Sequence, residues 1–145
     1  DVEFKGINIA KPIKKVIEYI KEAKRVIICP SNPIVSIGTI LQVKGIRKTL
    51  SKVKNRVFGV SPIIQGAPVK GPADKLMKSF GLEVSCVGVA EYYMDILGHF
   101  IIDNKDIESK PRIENLGIKT YCYDTLMTNL LKKKELAQFI INLED

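Results

Sequence analysis

The chain has 145 residues, 46% hydrophobic and 27% charged, with a formal net charge of +7, which is enough for a domain with a buried core and too apolar for disorder. No apolar run approaches the roughly 20 residues of a membrane span. The first residues, Asp1-Val2-Glu3-Phe4-Lys5, carry neither an initiating Met nor the basic start of a secretory signal, as expected of a piece cut from something longer or processed.

Three cysteines, Cys29, Cys86 and Cys122, are far apart and show no CxxC spacing. With the lone His99 they argue against a zinc site and predict buried free thiols in a reducing, cytoplasmic compartment. His99, at a strand start, is expected to be structural. Basic residues concentrate at 11–25, 47–56 and 132–134, mostly on the non-apolar positions of helices and without interleaved aromatics. They are taken as solvated helix faces, which argues against nucleic acid and favours small polyanionic ligands.

Pro12 is expected to start a helix whose apolar positions are Ile13, Val16, Ile17 and Ile20. The β-branched run Val26-Ile27-Ile28-Cys29 predicts a buried strand. Next comes Pro30-Ser31-Asn32-Pro33-Ile34-Val35-Ser36-Ile37-Gly38, a loop stiffened by two prolines, with a helix beginning near Ser36. At such a place Ser31, Asn32 or Ser36 either caps the helix or joins its N–H groups in holding an anion. Gly45 should break that helix before a second piece carrying Ile46, Leu50 and Val53.

Val57-Phe58-Gly59-Val60 is the next expected strand, followed by a glycine- and proline-rich loop from Ile63 to Pro72. A loop after a strand lies at the edge where open α/β sheets bind ligands. Pro72 should begin a short helix burying Leu76, Met77 and Phe80, stopped by Gly81. Glu83 to Val87 fits a short strand or a crossing segment. Val89, Tyr92, Tyr93 and Ile96 mark an amphipathic helix, and Phe100 to Asp103 a strand. Lys105 to Asn115 is a polar helix or loop, Ile118 to Tyr123 a last strand, and Leu136, Phe139, Ile140 and Leu143 a closing helix. The alternation predicts a single α/β domain over residues 1–145, Rossmann-like and three-layered, with a mainly parallel sheet that belongs to a larger domain. No GxGxxG, GxxxxGK[ST] or GxSxG motif occurs.

Four blocks in order, Pro30 to Gly38, Val60-Ser61-Pro62-Ile63-Ile64, Val69 to Met77, and Gly88-Val89-Ala90 with Tyr92-Tyr93, resemble the 2-phospho-L-lactate transferase family, and the match continues to Asp124-Thr125-Leu126-Met127. The resemblance implies transfer of a phospholactyl group from a guanosine diphosphate-linked three-carbon donor to deazariboflavin, releasing GMP, with Mg2+ assisting, in coenzyme F-420 biosynthesis. An archaeal-type protein that forms a homodimer is implied as well. Attack of an alcohol on a diphosphate phosphorus needs placement and charge neutralisation more than a protein nucleophile.

Carried over residue by residue, the resemblance makes Ser31 and Asn32 diphosphate or nucleotide contacts, Ser36 a helix-start hydroxyl and Gly38 a close-approach position. Lys70 becomes a charge for phosphate and Gly71 a loop pivot. Asp74 could assist a metal or serve its helix dipole. Tyr92 and Tyr93 could stack on a flavin-like ring or pack in the core.

Complete family members are about twice as long, and catalytic groups are expected in an N-terminal half not present in these residues. A helix terminus adds about 0.3 to 2 kcal/mol to anion binding and a hydrogen bond to a charged group about 1.5 to 3. Micromolar affinity needs roughly 8 kcal/mol, so this loop is expected to supply part of a site. Two alternatives remain: a noncatalytic nucleotide-sugar-binding regulator of the gluconeogenesis-factor family, in which a glycine-rich loop would replace PSNP, and a dimerisation module.

Overall fold

The apolar runs form a parallel sheet in the computed structural model, which describes residues 3–143; Asp1, Val2, Glu144 and Asp145 lie outside the described residues. The strands are β1 (Val26–Ile28), β2 (Val57–Val60), β3 (Ile63–Ile64), β4 (Ala67–Pro68), β5 (His99–Asp103) and β6 (Lys119–Tyr123). One sheet has the order β1-β2-β5-β6, and all its pairings are parallel. Strands β3 and β4 pair antiparallel apart from it.

The helices are α1 (Lys14–Glu22), α2 (Thr39–Gln42), α3 (Ile46–Lys52), α4 (Ala73–Ser79), α5 (Cys86–Tyr93), α6 (Lys110–Glu114) and α7 (Leu130–Asn142). Because side chains alternate across a strand, β2 and β5 divide their apolar residues between two faces, as a sheet covered on both sides requires. Val57, Phe100 and Ile102 join one core with Ile46, Leu50, Val89, Tyr93 and Ile113 from the helices. Phe58, Val60 and Ile101 join another beneath Leu136 and Ile140 of α7. Each fully buried side chain of this kind contributes about 1.5 to 3 kcal/mol. The Arg25 guanidinium donates to the carbonyls of Ile140, Ile141 and Leu143, tying the end of α7 to the start of β1. The α/β class and the parallel sheet with helices on both sides are therefore as predicted, though α7 alone forms the second helical layer among the described residues.

Several local expectations are corrected. Helix α1 starts at Lys14, and Ile13, extended at ψ 136°, is 77% exposed rather than core-facing. Phe80 is exposed as well, because α4 ends at Ser79 and turns away at Gly81. Cys86 and Val87 begin helix α5, whose Ser85 cap accepts from the Gly88 N–H, so no strand forms there. That helix is buried on nearly every side rather than amphipathic. All three cysteines are free, but only Cys86 is buried. Cys29 follows the edge strand β1 and is exposed, and Cys122 is half-buried. Burial pushes the Cys86 thiol pKa upward. The Gly/Pro loop contains the β3–β4 hairpin, turned by Gln65 (φ 50°) and Gly66 (φ 73°), the pair of left-handed residues that a type I′ hairpin turn requires. His99 is structural: it stacks on Phe58 at 4.1 Å, donates from Nε2 to the Asn55 carbonyl at 2.9 Å and meets the Tyr121 hydroxyl at 3.2 Å.

Candidate functional site

The loop after β1 winds into one wide turn of π-helix, Pro33–Gly38. Asn32 caps it: its Oδ1 accepts from the N–H groups of Ile34 (2.9 Å) and Val35 (3.1 Å). The Asn32 carbonyl accepts from Ser36 (3.2 Å) and Ile37 (3.0 Å), and Pro33 has no N–H. The donors of this first turn are thus already satisfied. The anticipated row of free N–H groups is absent there, and any ligand must be held by side chains and by neighbouring segments.

Gly38 is buried at the end of that turn. A Cβ there would lie 2.8 Å from the Pro33 carbonyl oxygen and 3.0 Å from the Tyr92 hydroxyl. Gly38 is thus closely approached from within its own turn by the Pro33 carbonyl and from α5 by the Tyr92 hydroxyl.

Three segments, each following a parallel strand, close around a cavity of about 610 Å³, a size that suits a small-molecule ligand. Pro30 to Ser36 follow β1, Ser61 and Pro62 follow β2, and Thr125 to Thr128 follow β6; Val69 to Pro72 and Lys133 complete the lining. The cavity therefore sits at the carboxyl edge of the sheet, where open α/β folds bind ligands. The structure brings together Ser31, Asn32, Ser36, Lys70 and Gly71, with Gly71 at φ 74° in the left-handed region. Among the described residues the lining contains no carboxylate. Ser61 Oγ donates to the Ile63 carbonyl, and the Thr125 hydroxyl donates to Asp103 Oδ2, so both are committed to holding walls.

Gly38, Asp74, Tyr92 and Tyr93 are not among the lining residues. Asp74 is half-buried in the first turn of α4. Tyr93 is buried and Tyr92 is half-buried beneath the Arg47 guanidinium, 5.3 Å from its ring centroid. Of the two alternatives for these tyrosines, core packing holds for Tyr93, with Tyr92 packed against the same cluster, and neither ring lines this cavity. Sequence reasoning missed Ser61, Thr128 and Lys133 as lining residues. The signal that could have found them is the same edge rule, applied after β2 and β6.

A neighbouring cavity of about 370 Å³ is lined by Ile64, Asp103, Asn104, Lys105, Asp124 and Leu126. Asp103 is already bonded to Thr125 and to the Lys105 N–H, and Asp124 pairs with Lys132 at 2.9 Å. The Lys132 ammonium holds the Asp124 carboxyl below its ordinary pKa. Burial pushes the nearby Asp106 pKa up, against the opposing hydrogen bond from the Gln65 N–H. No group of three or more His, Cys, Asp and Glu side chains among the described residues could hold a metal ion. No helix among them is long and apolar enough to cross a membrane.

A family model described as 2-phospho-L-lactate transferase CofD matches residues 3–135. The chain is 46% identical over 144 residues to a protein named 2-phospho-L-lactate transferase from Methanosarcina acetivorans, covering 99% of this chain and 46% of the relative. It is 48% identical over 144 residues to a protein of the same name from Methanosarcina barkeri, with the same coverage. A protein named phosphoenolpyruvate transferase from Kitasatospora aureofaciens is 39% identical over 141 residues, 97% of this chain and 44% of the relative. The chain thus spans less than half the length of these relatives.

Proposed function

Because this chain belongs to the 2-phospho-L-lactate transferase family, we propose that its cavity holds the diphosphate of a guanine nucleotide-linked three-carbon donor during coenzyme F-420 biosynthesis. The observation that carries the reading is the meeting of Ser31, Asn32, Ser36 and Lys70 in one acid-free cavity at the carboxyl edge of the sheet. Hydroxyls and an ammonium suit a phosphate chain, and a rigid cradle suits a displacement at phosphorus, which needs alignment and charge neutralisation.

In the reaction proposed, the alcohol oxygen of deazariboflavin attacks the phosphorus that carries the three-carbon acid. The bond from that phosphorus to the bridging oxygen breaks, GMP leaves, and the alcohol proton passes to a base. That acid is lactate, which makes the transferred group phospholactyl, or enolpyruvate, which makes it the phosphoenolpyruvyl group suggested by the name of the Kitasatospora relative. The proposal draws the base, the magnesium ligands and the acceptor pocket from outside the described residues. Self-association as a homodimer belongs to the same reading; the exposed Leu130, Leu131 and Ile141 of α7 supply apolar surface for it.

Titration of the 15N-labelled chain with GDP and with a UDP-sugar tests the reading. The expected result is GDP-dependent amide shifts at Ser31, Asn32, Ser36, Lys70 and Gly71, with little response to the UDP-sugar. A preference for uridine, or silence toward both at millimolar ligand, would overturn it. Transfer of the three-carbon group by the 145-residue chain alone would overturn the assignment of the remaining groups to other residues.

A further inference from the structure

We infer that Lys133, on α7, is a second cationic contact for the ligand's phosphates, alongside Lys70. The inference rests on the diphosphate reading above and goes beyond it, because α7 contributes none of the residues on which that reading stands.

Three observations single out Lys133 from the basic run 132–134. First, α7 is oriented by Leu136 and Ile140, which are buried against Phe58, Val60 and Ile101. Lys133 stands three residues before Leu136 and seven before Ile140, so it lies on the sheet-facing stripe of the helix. At that end the helix overhangs the carboxyl edge, and Lys133 lines the cavity. Lys133 is exposed, but on the side of the helix that lines the cavity.

Second, Lys132 is engaged and Lys133 is not. Lys132 pairs with Asp124 at 2.9 Å and with Glu135 at 3.6 Å. The side chains of Lys70 and Lys133 make no ion pair or hydrogen bond among the described residues. Two ammonium groups from separate elements therefore share a cavity with no carboxylate between them. An anion entering that cavity would meet two cations and no competing carboxylate.

Third, helix stability does not explain the residue. Lys133 sits in the first turn of α7, after the Asn129 cap, which accepts from the Lys132 N–H at 2.9 Å. The macrodipole disfavours a cation at that end. A diester-linked diphosphate carries one negative charge on each phosphorus, and two lysines match that count.

Binding of GDP and of guanosine to wild type, Lys133→Gln, Lys133→Arg and Lys134→Gln, followed by amide shifts, tests this assignment. Lys133 is exposed at the cavity mouth, so the fold should survive each change. The expected result is a GDP affinity reduced about ten- to a hundredfold in Lys133→Gln, with unchanged guanosine affinity, retention within about threefold in Lys133→Arg, and no effect in Lys134→Gln. Equal GDP affinity in Lys133→Gln and wild type would overturn the inference while leaving the diphosphate reading intact. Equal weakening by Lys134→Gln would overturn it too, since general surface charge would then account for the loss. Failure of wild type to bind GDP would overturn both.

Discussion

The buried carboxylate of Asp103 accepts hydrogen bonds from both the N–H and the hydroxyl of Thr125, at 3.1 and 3.2 Å. Its other oxygen accepts from the Lys105 N–H at 3.0 Å. One side chain at the end of β5 thereby fixes the first residue of the wall that follows β6. Asp103→Ala strands three donors, so stability should fall by about 2 to 4 kcal/mol, read as a lower urea midpoint, with amide shifts spreading from Thr125 to Thr128. Asp103→Asn keeps one acceptor oxygen and should lose less.

Asn32 and Ser31 should separate by assay. Asn32 is the cap of the π-turn, and Asn32→Ala should lower stability by about 1 kcal/mol, with Asn32→Asp retaining most of it. Ser31 makes no such bond within the turn, so Ser31→Ala should change stability by less than about 0.5 kcal/mol while weakening GDP binding. Thermal unfolding and GDP titration of the same variants check both.

Gly38→Ala should be costly. The added methyl meets the Pro33 carbonyl oxygen at 2.8 Å, and that oxygen belongs to the same turn and has little freedom to withdraw. Overpacking of this kind costs about 1 to 3 kcal/mol. Denaturant unfolding should show the loss, and the Asn32 and Ser36 amides should shift because the turn carrying them is forced to open.

Arg47 ties α3 to the end of α5. Its Nε and Nη2 donate to the two oxygens of Asp95 at 2.8 and 2.6 Å, and Nη2 also donates to the Tyr92 carbonyl at 2.7 Å. The hydrogen bond from Arg47 holds the Asp95 carboxyl below its ordinary pKa, against a smaller opposing effect of burial. With the folded value depressed, this contribution is complete above the unfolded value of about 3.9 and is lost as pH falls through the lower, folded one. Both side chains are partly exposed, so solvent screening limits the effect to about 1 kcal/mol or less. Arg47→Met should destabilise near neutrality and flatten the acid limb below about pH 4, as followed by circular dichroism.

Local chemistry carried much of the fold. The runs at Val26, Val57, Phe100 and Ile118 announced strands because β-branched and aromatic residues fit a buried pleat. Ile46, Leu50 and Val53 announced a helix because their spacing closes one face. The hairpin at Gln65-Gly66 was hidden, since Gln is not a usual left-handed turn residue. It is held by Asp106, whose two carboxylate oxygens accept from the Gln65 N–H at 3.0 and 3.1 Å across 41 residues of sequence. The exposure of Cys29 was hidden for a related reason: a strand of Val and Ile looks the same at a sheet edge as at its centre.

The amino-acid order by itself determined the alternation of strands and helices, the parallel sheet that alternation entails, and a proline-stiffened turn at the end of β1. Periodicity and turn chemistry act within a few residues, so they are written in the chain. Only the tertiary structure decided that Asn32 spends its oxygen on its own turn, that Gly38 faces Tyr92, and that Lys133 shares a cavity with Lys70. Those relationships depend on strand order and on how α7 lies across the sheet, which are set by packing between residues far apart in sequence and leave no local pattern to find.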